Sequence, residues 1–265
     1  MLGTDLAKRF QKEYGAESVI AADRAMLDIT DWQSVGRLMR EREPGLVVNS
    51  AAYTNVDGAE KERELAYNIN VMGVANLVEW CEEFGIKLVH FSTDQVFDGK
   101  GKLPRTEGET PRPSNYYAET KFLGEQEAAR MESSLILRVQ WLYGKKKDRF
   151  TPLKDKEVFT PFADQYGAPM WTETIADAVV DLLQKGAAGL FHLTHDDYAS
   201  WADVFAFAKE ELGLKVRLEP KRTEEMKLPA NRPLFSVLSN EKLCRALGRE
   251  KFGGWRPALS KFLKA

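Results

Sequence analysis

The stretch Lys87-Leu88-Val89-His90-Phe91-Ser92-Thr93-Asp94 is an apolar run that ends in three polar residues. Continuous apolar runs of this kind are typical of strands that are buried on both faces of a sheet. Further runs alternate with patterns of helical spacing along the first half of the chain. The expected strands are 18–22, 45–49, 87–91 and 134–138, and the expected helices are 31–42, 60–84 and 115–131. This alternation predicts a parallel sheet covered by helices.

The second half of the chain is less regular. A helix is expected at 174–184, and a strand at 190–194 could extend the same sheet. A smaller α+β lobe is indicated by a helix at 201–212, a strand at 216–218 and a helix at 241–247. A connection rich in proline and charge, 219–233, runs through this part. The fold class is therefore α/β, with a doubly wound parallel sheet and a smaller lobe.

Composition bounds the class of protein. The chain has 265 residues and a net charge of −2 with both signs interspersed, which gives no support to a nucleic-acid partner. No run of eighteen apolar residues exists, and no basic-then-apolar leader opens the chain. We therefore expect a cytoplasmic protein that does not act at a membrane.

The cysteines and histidines carry no sign of a special site. Cys81 and Cys244 are expected to be free, buried thiols, ahead of the alternative of a disulfide. His90, His192 and His195 lack the spacing of metal ligands, so no metal is predicted, and His90 and His192 are expected to be core or strand residues.

Tyr117 and Lys121 are the candidate catalytic pair. Four residues apart on a helix, their side chains lie on one face. A phenol beside an ammonium, with the Thr93 hydroxyl at a nearby strand end, suits the reduction of a carbonyl, because the phenol gives a proton to the new alkoxide. A cation at roughly 4 Å in an effective dielectric near 20 supplies about 4 kcal/mol before desolvation. We therefore expect Lys121 to bring the pKa of Tyr117 down toward working pH.

A second Tyr-x-x-x-Lys match, Tyr143 to Lys147, has a different setting. Glycine and three adjacent lysines follow Tyr143, which indicates a solvated loop. We expect this match to be accidental.

Ordered matches along nearly the whole chain show a family resemblance. They are Asp28-Ile29-Thr30-Asp31, Val48-Asn49-Ser50-Ala51-Ala52-Tyr53-Thr54-Asn55-Val56-Asp57, Asn70-Val71-Met72-Gly73-Val74-Ala75-Asn76-Leu77, Phe91-Ser92-Thr93-Asp94, Val96-Phe97-Asp98-Gly99, residues 117–121, 138–144 and 164–169, Arg232-Pro233 and Ser236-Val237-Leu238. In these segments the chain resembles the dTDP-4-dehydrorhamnose reductases, a branch of the extended short-chain dehydrogenase/reductases. The resemblance implies a Rossmann-like dinucleotide-binding domain (1–148 and 172–195) and a substrate-binding lobe (149–171 and 196–265).

The resemblance also implies the activity and its residues. The reaction would be NADPH- or NADH-dependent reduction of the C4 ketone of dTDP-6-deoxy-L-lyxo-4-hexulose to dTDP-L-rhamnose, by a monomer or homodimer. Tyr117 would donate the proton, Lys121 would assist it, and Thr93 would hold the ketone oxygen or the phenol. Expected cofactor contacts are Leu2, Gly3, Asp23, Arg24, Asp28, Ile29, Ala51, Ala52, Tyr53, Asn70, Ser92, Tyr117 and Lys121. Expected contacts to the dTDP-linked 4-keto sugar are Thr54, Val56, Thr93, Asp94, Trp141, Gln165, Tyr166 and Arg232.

Several of these residues have a structural alternative. Asp23 could bind the adenine ribose, which favours NAD, and Arg24 a 2′-phosphate, which favours NADP, but Asp23 and Asp28 also suit turns. Asn70 could bond backbone groups. Trp141 and Gln165-Tyr166 could belong to the core, and Arg232 could form an ion pair instead of binding diphosphate.

The chain departs from the family pattern in four places. Gly3 matches only the last glycine of the Gly-x-x-Gly-x-x-Gly turn, so the first strand and two phosphate-facing glycines are absent. We expect a shortened form of a longer protein, with a native chain of weaker cofactor affinity as the alternative. The segment between Phe150 and Asp164 is short. Gln95 replaces a usual aromatic residue and Met170 a usual threonine, and both could tune substrate choice or be neutral.

Two other functions fit the same scaffold. One is a reductase or epimerase of another nucleotide sugar. The other is a non-catalytic nucleotide-binding subunit, like the regulatory subunit of methionine adenosyltransferase, since fold alone does not decide function. The intact Thr93, Tyr117 and Lys121 favour an enzyme.

Overall fold

A four-stranded parallel sheet forms the centre of the computed structural model, which describes residues 1–265. The strand order is β1-β2-β3-β8, where β1 is Leu46–Asn49, β2 is Lys87–Thr93, β3 is Leu135–Val139 and β8 is Gly189–His192. The register pairs Val48 with Val89, Phe91 with Leu137 and Arg138 with His192. The parallel sheet predicted from the apolar runs is confirmed, and the strand expected at 190–194 does extend it.

Helices cover both faces of this sheet, and short strand pairs complete the molecule. The ten helices are α1 (Leu2–Tyr14), α2 (Trp32–Arg42), α3 (Val56–Ala59), α4 (Arg63–Tyr67), α5 (Gly73–Phe84), α6 (Tyr116–Ala128), α7 (Thr172–Gln184), α8 (Trp201–Glu211), α9 (Glu241–Leu247) and α10 (Trp255–Leu263). The remaining strands are β4 (Leu142–Tyr143), β5 (Val158–Phe159), β6 (Tyr166–Gly167), β7 (Met170–Trp171), β9 (Ala199–Ser200) and β10 (Arg217–Leu218). They pair as β4 with β7, β5 with β10 and β6 with β9.

The sheet separates two hydrophobic cores because successive side chains of a strand point to opposite faces. Leu135 and Leu137 pack on one side with residues of α1, α7 and α9, whereas Ile136 packs on the other side with α2 and α5. Cys81 lies in the second core, and both cysteines are free and buried, as predicted. Burying apolar residues from both strand faces is what gives the doubly wound arrangement.

A third core lies outside the sheet. It contains Tyr143, Phe150, Phe205, Trp255 and Phe262 and joins α8 and α10 to the segment around β7. The domain boundaries stay a prediction, and two details bear on them. Tyr143, assigned to the dinucleotide-binding domain, packs in this third core, whereas α9, assigned to the substrate lobe, packs against the sheet.

The strand expected at 18–22 is wrong. Residues 16–18 form a single 3₁₀ turn, and 19–22 are not in a sheet. An apolar run becomes a strand only where a neighbouring strand accepts its backbone hydrogen bonds. β1 is an edge strand whose only partner is β2, and Ile20 is left exposed.

The helical pattern at 60–84 is confirmed in type, although two of its apolar residues face solvent. Leu65 and Met72 are 39 % and 45 % exposed. The segment is divided into α4, a π-helical turn over Asn68–Met72, and α5. Because a π-turn has a different number of residues from an α-turn, it shifts the phase of the apolar stripe. None of the helices combines the length and apolar character that crossing a membrane requires.

Candidate active site

Helix α6 carries the predicted catalytic pair on its buried face. The Asn115 side chain caps the helix by accepting a hydrogen bond from the Ala118 N–H, 2.8 Å away. Tyr117 is 9 % exposed and Lys121 only 3 % exposed. The Tyr117 ring packs against Ala59 and Ala66 of the neighbouring helices. The pair therefore lies together and inward, as the four-residue spacing predicts.

Asn70 fixes the loop after β1 to this helix. Its side-chain oxygen accepts from the Tyr53 N–H at 2.9 Å, and its amide donates to the Tyr53 carbonyl and to the Thr120 hydroxyl. The alternative that Asn70 bonds backbone groups is therefore what the structure shows. Gly124 of α6 lies directly against the Asn70 carbonyl, where a larger residue would clash. This close approach brings Tyr53 and Val56 beside the Tyr117 ring.

Thr93 is the last residue of β2 and Asp94 follows it, and both are buried. The Thr93 hydroxyl donates to a carboxylate oxygen of Asp94 at 3.0 Å, and Ser236 donates its hydroxyl to the other oxygen. A hydrogen bond from Thr93 lowers the pKa of the Tyr117 phenol. Both roles expected for Thr93, holding the ketone oxygen or holding the phenol, stay predictions. Asp94, expected to contact substrate, is occupied by two hydroxyls.

Burial governs the protonation of the pair. It raises the pKa of Tyr117 to about 12, with the Thr93 hydrogen bond opposing and the Asp94 charge reinforcing that shift. The expectation that Lys121 brings this pKa toward neutrality is therefore wrong for the protein without ligands, because burial dominates the shift and Lys121 is not among the groups that lower it. Burial also lowers the pKa of Lys121 to about 8, against the raising effect of Glu125. At neutral pH the site holds a neutral phenol and an ammonium.

Sequence reasoning missed the buried ion pair behind Lys121. Arg138 of β3 donates two hydrogen bonds to Glu125 of α6, at 2.6 and 2.9 Å. Arg138 also donates to Nε2 of His192 at 3.2 Å, so His192 must donate from Nδ1 to the Arg105 carbonyl. The position of Arg138 inside the apolar strand β3 could have indicated a buried partner of opposite charge. The pair holds α6 against the sheet one turn beyond Lys121.

Of the cofactor residues predicted near the start of the chain, Gly3 lies beside the carboxyl end of β1, whereas others are core residues. Gly3 of α1 lies so close to Ser50, after β1, that an added Cβ would stand 2.5 Å from the Ser50 hydroxyl. This matches the close helix packing expected of the last motif glycine. Leu2 and Ile29 are core residues.

The acidic residues in the 23–31 region act in turns. Asp23 accepts from the Ala25 and Met26 N–H groups, and Asp28 accepts from Thr30. Arg24 pairs with Asp28 at 3.4 Å. The turn alternatives for both aspartates are therefore present, and their role toward a ribose stays a prediction. Ala51 and Ala52 lie in the loop that follows β1.

The fit of a dinucleotide rests on polar atoms that lack partners. The Ser92 hydroxyl and Nε2 of His90, both on β2, are buried without a hydrogen-bond partner. Buried polar groups are normally satisfied, so each of these atoms is available to a ligand or a water. With Lys121 and the first turn of α1 they would border a nicotinamide cofactor, and the residues present fit that group.

The predicted sugar contacts are divided between two places. Trp141 has a φ of 48° and stacks on Trp201 with ring centroids 4.0 Å apart, so its ring is braced by the lobe core. Gln165 is buried and donates to Thr223 at 3.0 Å. Tyr166 and Thr54 are exposed, Tyr166 in β6 and Thr54 in the loop that follows β1.

Residues 230–236, which we call the strap, join these two places. Arg232 pairs with Asp57 at 2.7 Å, and the Ala230 N–H donates to the same carboxylate. Asn115 donates to the Asn231 carbonyl at 2.9 Å, while Ser236 bonds Asp94. The ion-pair alternative for Arg232 is thus present, and its diphosphate role stays a prediction. The strap is therefore bonded to α3, to the start of α6 and to the residue that follows β2.

Comparisons with known proteins match this geometry. The family model described as RmlD substrate binding domain matches residues 1–265. The spore coat polysaccharide biosynthesis protein SpsK of Bacillus subtilis is 36 % identical over 99 % of this chain and 93 % of its own. A dTDP-4-keto-6-deoxy-D-glucose reductase of Streptomyces niveus is 34 % identical (98 % and 92 %), and a dTDP-4-dehydrorhamnose reductase of Streptomyces griseus 33 % (100 % and 90 %).

A solved structure agrees over the whole fold. The dTDP-4-dehydrorhamnose reductase of Bacillus anthracis, in complex with NADP, has a TM-score of 0.92 and 32 % identity, covering 98 % of this chain and 95 % of that one. The chain belongs to the dTDP-4-dehydrorhamnose reductase family. Membership confirms the resemblance, the Rossmann-like fold and the oxidoreductase class that the motifs predicted.

In this member of the dTDP-4-dehydrorhamnose reductase family, the second Tyr-x-x-x-Lys match does not lie on a helix, so Tyr143 and Lys147 do not share a helical face. Tyr143 lies in the two-residue strand β4, with its phenol buried and without a partner. Lys145, Lys146 and Lys147 are exposed. The solvated loop expected after Tyr143 is confirmed, and the interpretation of this match as accidental stays a prediction. Its buried phenol offers a matched comparison for Tyr117.

Proposed function

We propose that this protein reduces the C4 ketone of dTDP-6-deoxy-L-lyxo-4-hexulose to dTDP-L-rhamnose with NADPH or NADH, and that Tyr117 donates the proton. The observation that carries the proposal is the buried pair Tyr117 and Lys121 on α6, with Thr93 at the end of β2 beside the phenol. The cofactor, when bound, supplies the hydride.

The protonation states support reduction. A proton donor must hold its proton until charge develops on the ketone oxygen, and burial keeps the Tyr117 phenol neutral at working pH by raising its pKa. As the proton leaves, a phenolate forms, and the Lys121 ammonium on the same face of α6 stabilises that charge. The raised pKa of the resting phenol thus suits an acid better than a base.

Several groups would orient the dinucleotide. The first turn of α1 points its unpaired N–H groups toward the sheet end, Ser92 offers a free hydroxyl, and Lys121 offers an ammonium. The NADP in the Bacillus anthracis relative supports NADPH as the first cofactor to test. The cytoplasmic location and the choice between monomer and homodimer stay predictions.

A second candidate is a reductase of another dTDP-linked 4-keto sugar. The Streptomyces niveus relative is named for a different ketosugar at a similar identity. At Gln95, where the family usually has an aromatic residue, the side chain accepts a hydrogen bond from Asn115 at 3.2 Å. A polar side chain at this position, close to Thr93 in sequence, could change which sugar is accepted. Turnover of dTDP-6-deoxy-L-lyxo-4-hexulose and of dTDP-4-keto-6-deoxy-D-glucose should therefore be compared.

Replacing Tyr117 tests the proposed reaction. Tyr117→Phe removes only the phenol oxygen, so we expect kcat for NADPH oxidation with the ketosugar to fall by about 10²-fold or more, while NADPH binding stays close to wild type. Tyr143→Phe, which removes a buried phenol oxygen in the lobe core, is the matched control and should keep full turnover. Full turnover in Tyr117→Phe would contradict the proposal.

A further inference from the structure

Asp94 is a buried carboxylate whose two partners are hydroxyls. It is 2 % exposed, Thr93 donates to one oxygen at 3.0 Å, and Ser236 of the strap donates to the other. An ionised carboxylate only accepts hydrogen bonds, so both hydroxyls must turn their single proton toward it. The direction of these two bonds is therefore set by the charge on Asp94.

That direction has a consequence for Tyr117. A Thr93 hydroxyl that donates to Asp94 and accepts from the Gln95 N–H cannot also donate to the phenol oxygen, because it has a single proton. The phenol oxygen then lacks the Thr93 hydrogen bond that lowers the pKa of Tyr117. While Asp94 is ionised, the Thr93 proton is turned toward Asp94 and does not support the phenolate that proton donation to a substrate creates.

We propose that Asp94 is a positioning residue that acts through Thr93, and that its protonated form turns the chain of hydrogen bonds around so that Tyr117 can donate to the ketone. This inference rests on the proposed function. In the protonated form Asp94 donates to Thr93, Thr93 donates to the phenol oxygen, and the phenol donates to the ketone oxygen. Ser236 still donates to the second carboxyl oxygen.

The proton count balances along this chain. When the alcohol forms, the phenol O–H bond breaks and a new O–H bond forms on the product. The Thr93 proton moves to the phenol oxygen, and the Asp94 proton moves to Thr93. One proton has left Asp94 for the product, and a proton from solvent restores the carboxyl before the next turnover.

The groups around Asp94 place its protonation within the pH range in which the enzyme is expected to work. Burial raises the pKa of Asp94 to about 6, while the hydrogen bonds from Ser236 and Thr93 lower it. Helix α6 presents the neutral Tyr117 and the Lys121 ammonium, and His90 on β2 is held neutral by burial, which lowers its pKa.

The four other charged groups named around the site form two ion pairs. Arg232 of the strap pairs with Asp57, and Glu125 pairs with Arg138. Since only protonated Asp94 is competent, kcat for reduction rises as pH falls through the pKa of Asp94.

The pH profile of single-turnover reduction tests the inference. The Ser236 bond lowers the pKa of Asp94, so Ser236→Ala should raise that pKa and move the midpoint to higher pH, by roughly one unit. Ser236→Thr, which keeps the hydroxyl, should keep the wild-type midpoint. Asp94→Asn has no proton to lose, so its profile should lack this limb. Ser114→Ala, at a buried hydroxyl without a partner, is the matched control.

The outcomes separate the two proposals. Wild-type turnover with an unshifted midpoint in folded Ser236→Ala, or with the same limb in Asp94→Asn, would overturn the role of Asp94 and leave the proposed function standing. No wild-type turnover of either ketosugar would overturn the proposed function and this inference with it. Should Ser236→Ala fail to fold, Ser236→Cys, with a weaker donor, must shift the midpoint in the same direction.

Discussion

Glu125 is the residue on which both the placement and the charge of Lys121 depend. It accepts two hydrogen bonds from Arg138 and raises the pKa of the ammonium one turn away. Removing one member of a buried ion pair leaves the other charge unpaired, so Glu125→Gln should lower the free energy of unfolding by about 3–5 kcal/mol. Urea denaturation measures this loss.

The same substitution predicts a change in pH dependence. Without the Glu125 charge the pKa of Lys121 falls further below its ordinary value, so the ammonium loses its proton at lower pH. The limb of kcat that reports loss of the Lys121 proton, which lies at higher pH than the limb proposed for Asp94, should therefore move to lower pH. Glu127→Gln, at an exposed pair with Arg130 on the same helix, should change stability by less than about 1 kcal/mol and leave that limb in place. An unmoved limb in Glu125→Gln would count against the coupling.

Helix α6 packs closely against the Asn70 segment because Gly124 has no side chain. Gly124 lies against the Asn70 carbonyl, so Gly124→Ala must push the helix outward or strain it. Forcing extra atoms into a packed contact costs about 1–3 kcal/mol, and we expect a lower melting temperature and reduced kcat because Tyr117 moves with the helix. Gln126→Ala, exposed on the same helix, is the control. A melting temperature equal to wild type in Gly124→Ala would contradict this account.

Elements with local signals could be predicted from the sequence, and those that depend on distant partners could not. Asp31 and Asn115 cap α2 and α6 at the positions that the pattern indicates. The segment 18–22 has the composition of a strand but lacks a neighbour to pair with.

The candidate site also has features that could be predicted from the local sequence and features that depend on distant residues. The spacing of Tyr117 and Lys121 is a property of one helix. The Asp94–Ser236 bond joins residues 142 positions apart, and the raised pKa of Tyr117 follows from burial, so neither could be inferred locally.

At the scale of the whole molecule, the strap is held to α3 through the Asp57 carboxylate. Asp57→Asn weakens the bond to Arg232 and removes its charge, so we expect the connection 219–233 to be cleaved faster by protease and KM for the ketosugar to rise about tenfold, or about 1.4 kcal/mol. Asp177→Asn, which removes an exposed partner of Arg9 far from the strap, should change neither. An unchanged KM together with faster cleavage would assign the strap to stability alone.

The strap also constrains how this protein can diverge. Its bonds to Asp57, Asn115 and Asp94 tie it to α3, to the start of α6 and to the end of β2, beside the proposed site of the ketosugar. A lineage that reshapes the strap for a new sugar loses part of its folding stability in the same step. Such changes should therefore be found together with stabilising replacements elsewhere, in the lobe core around Trp255 or along the sheet.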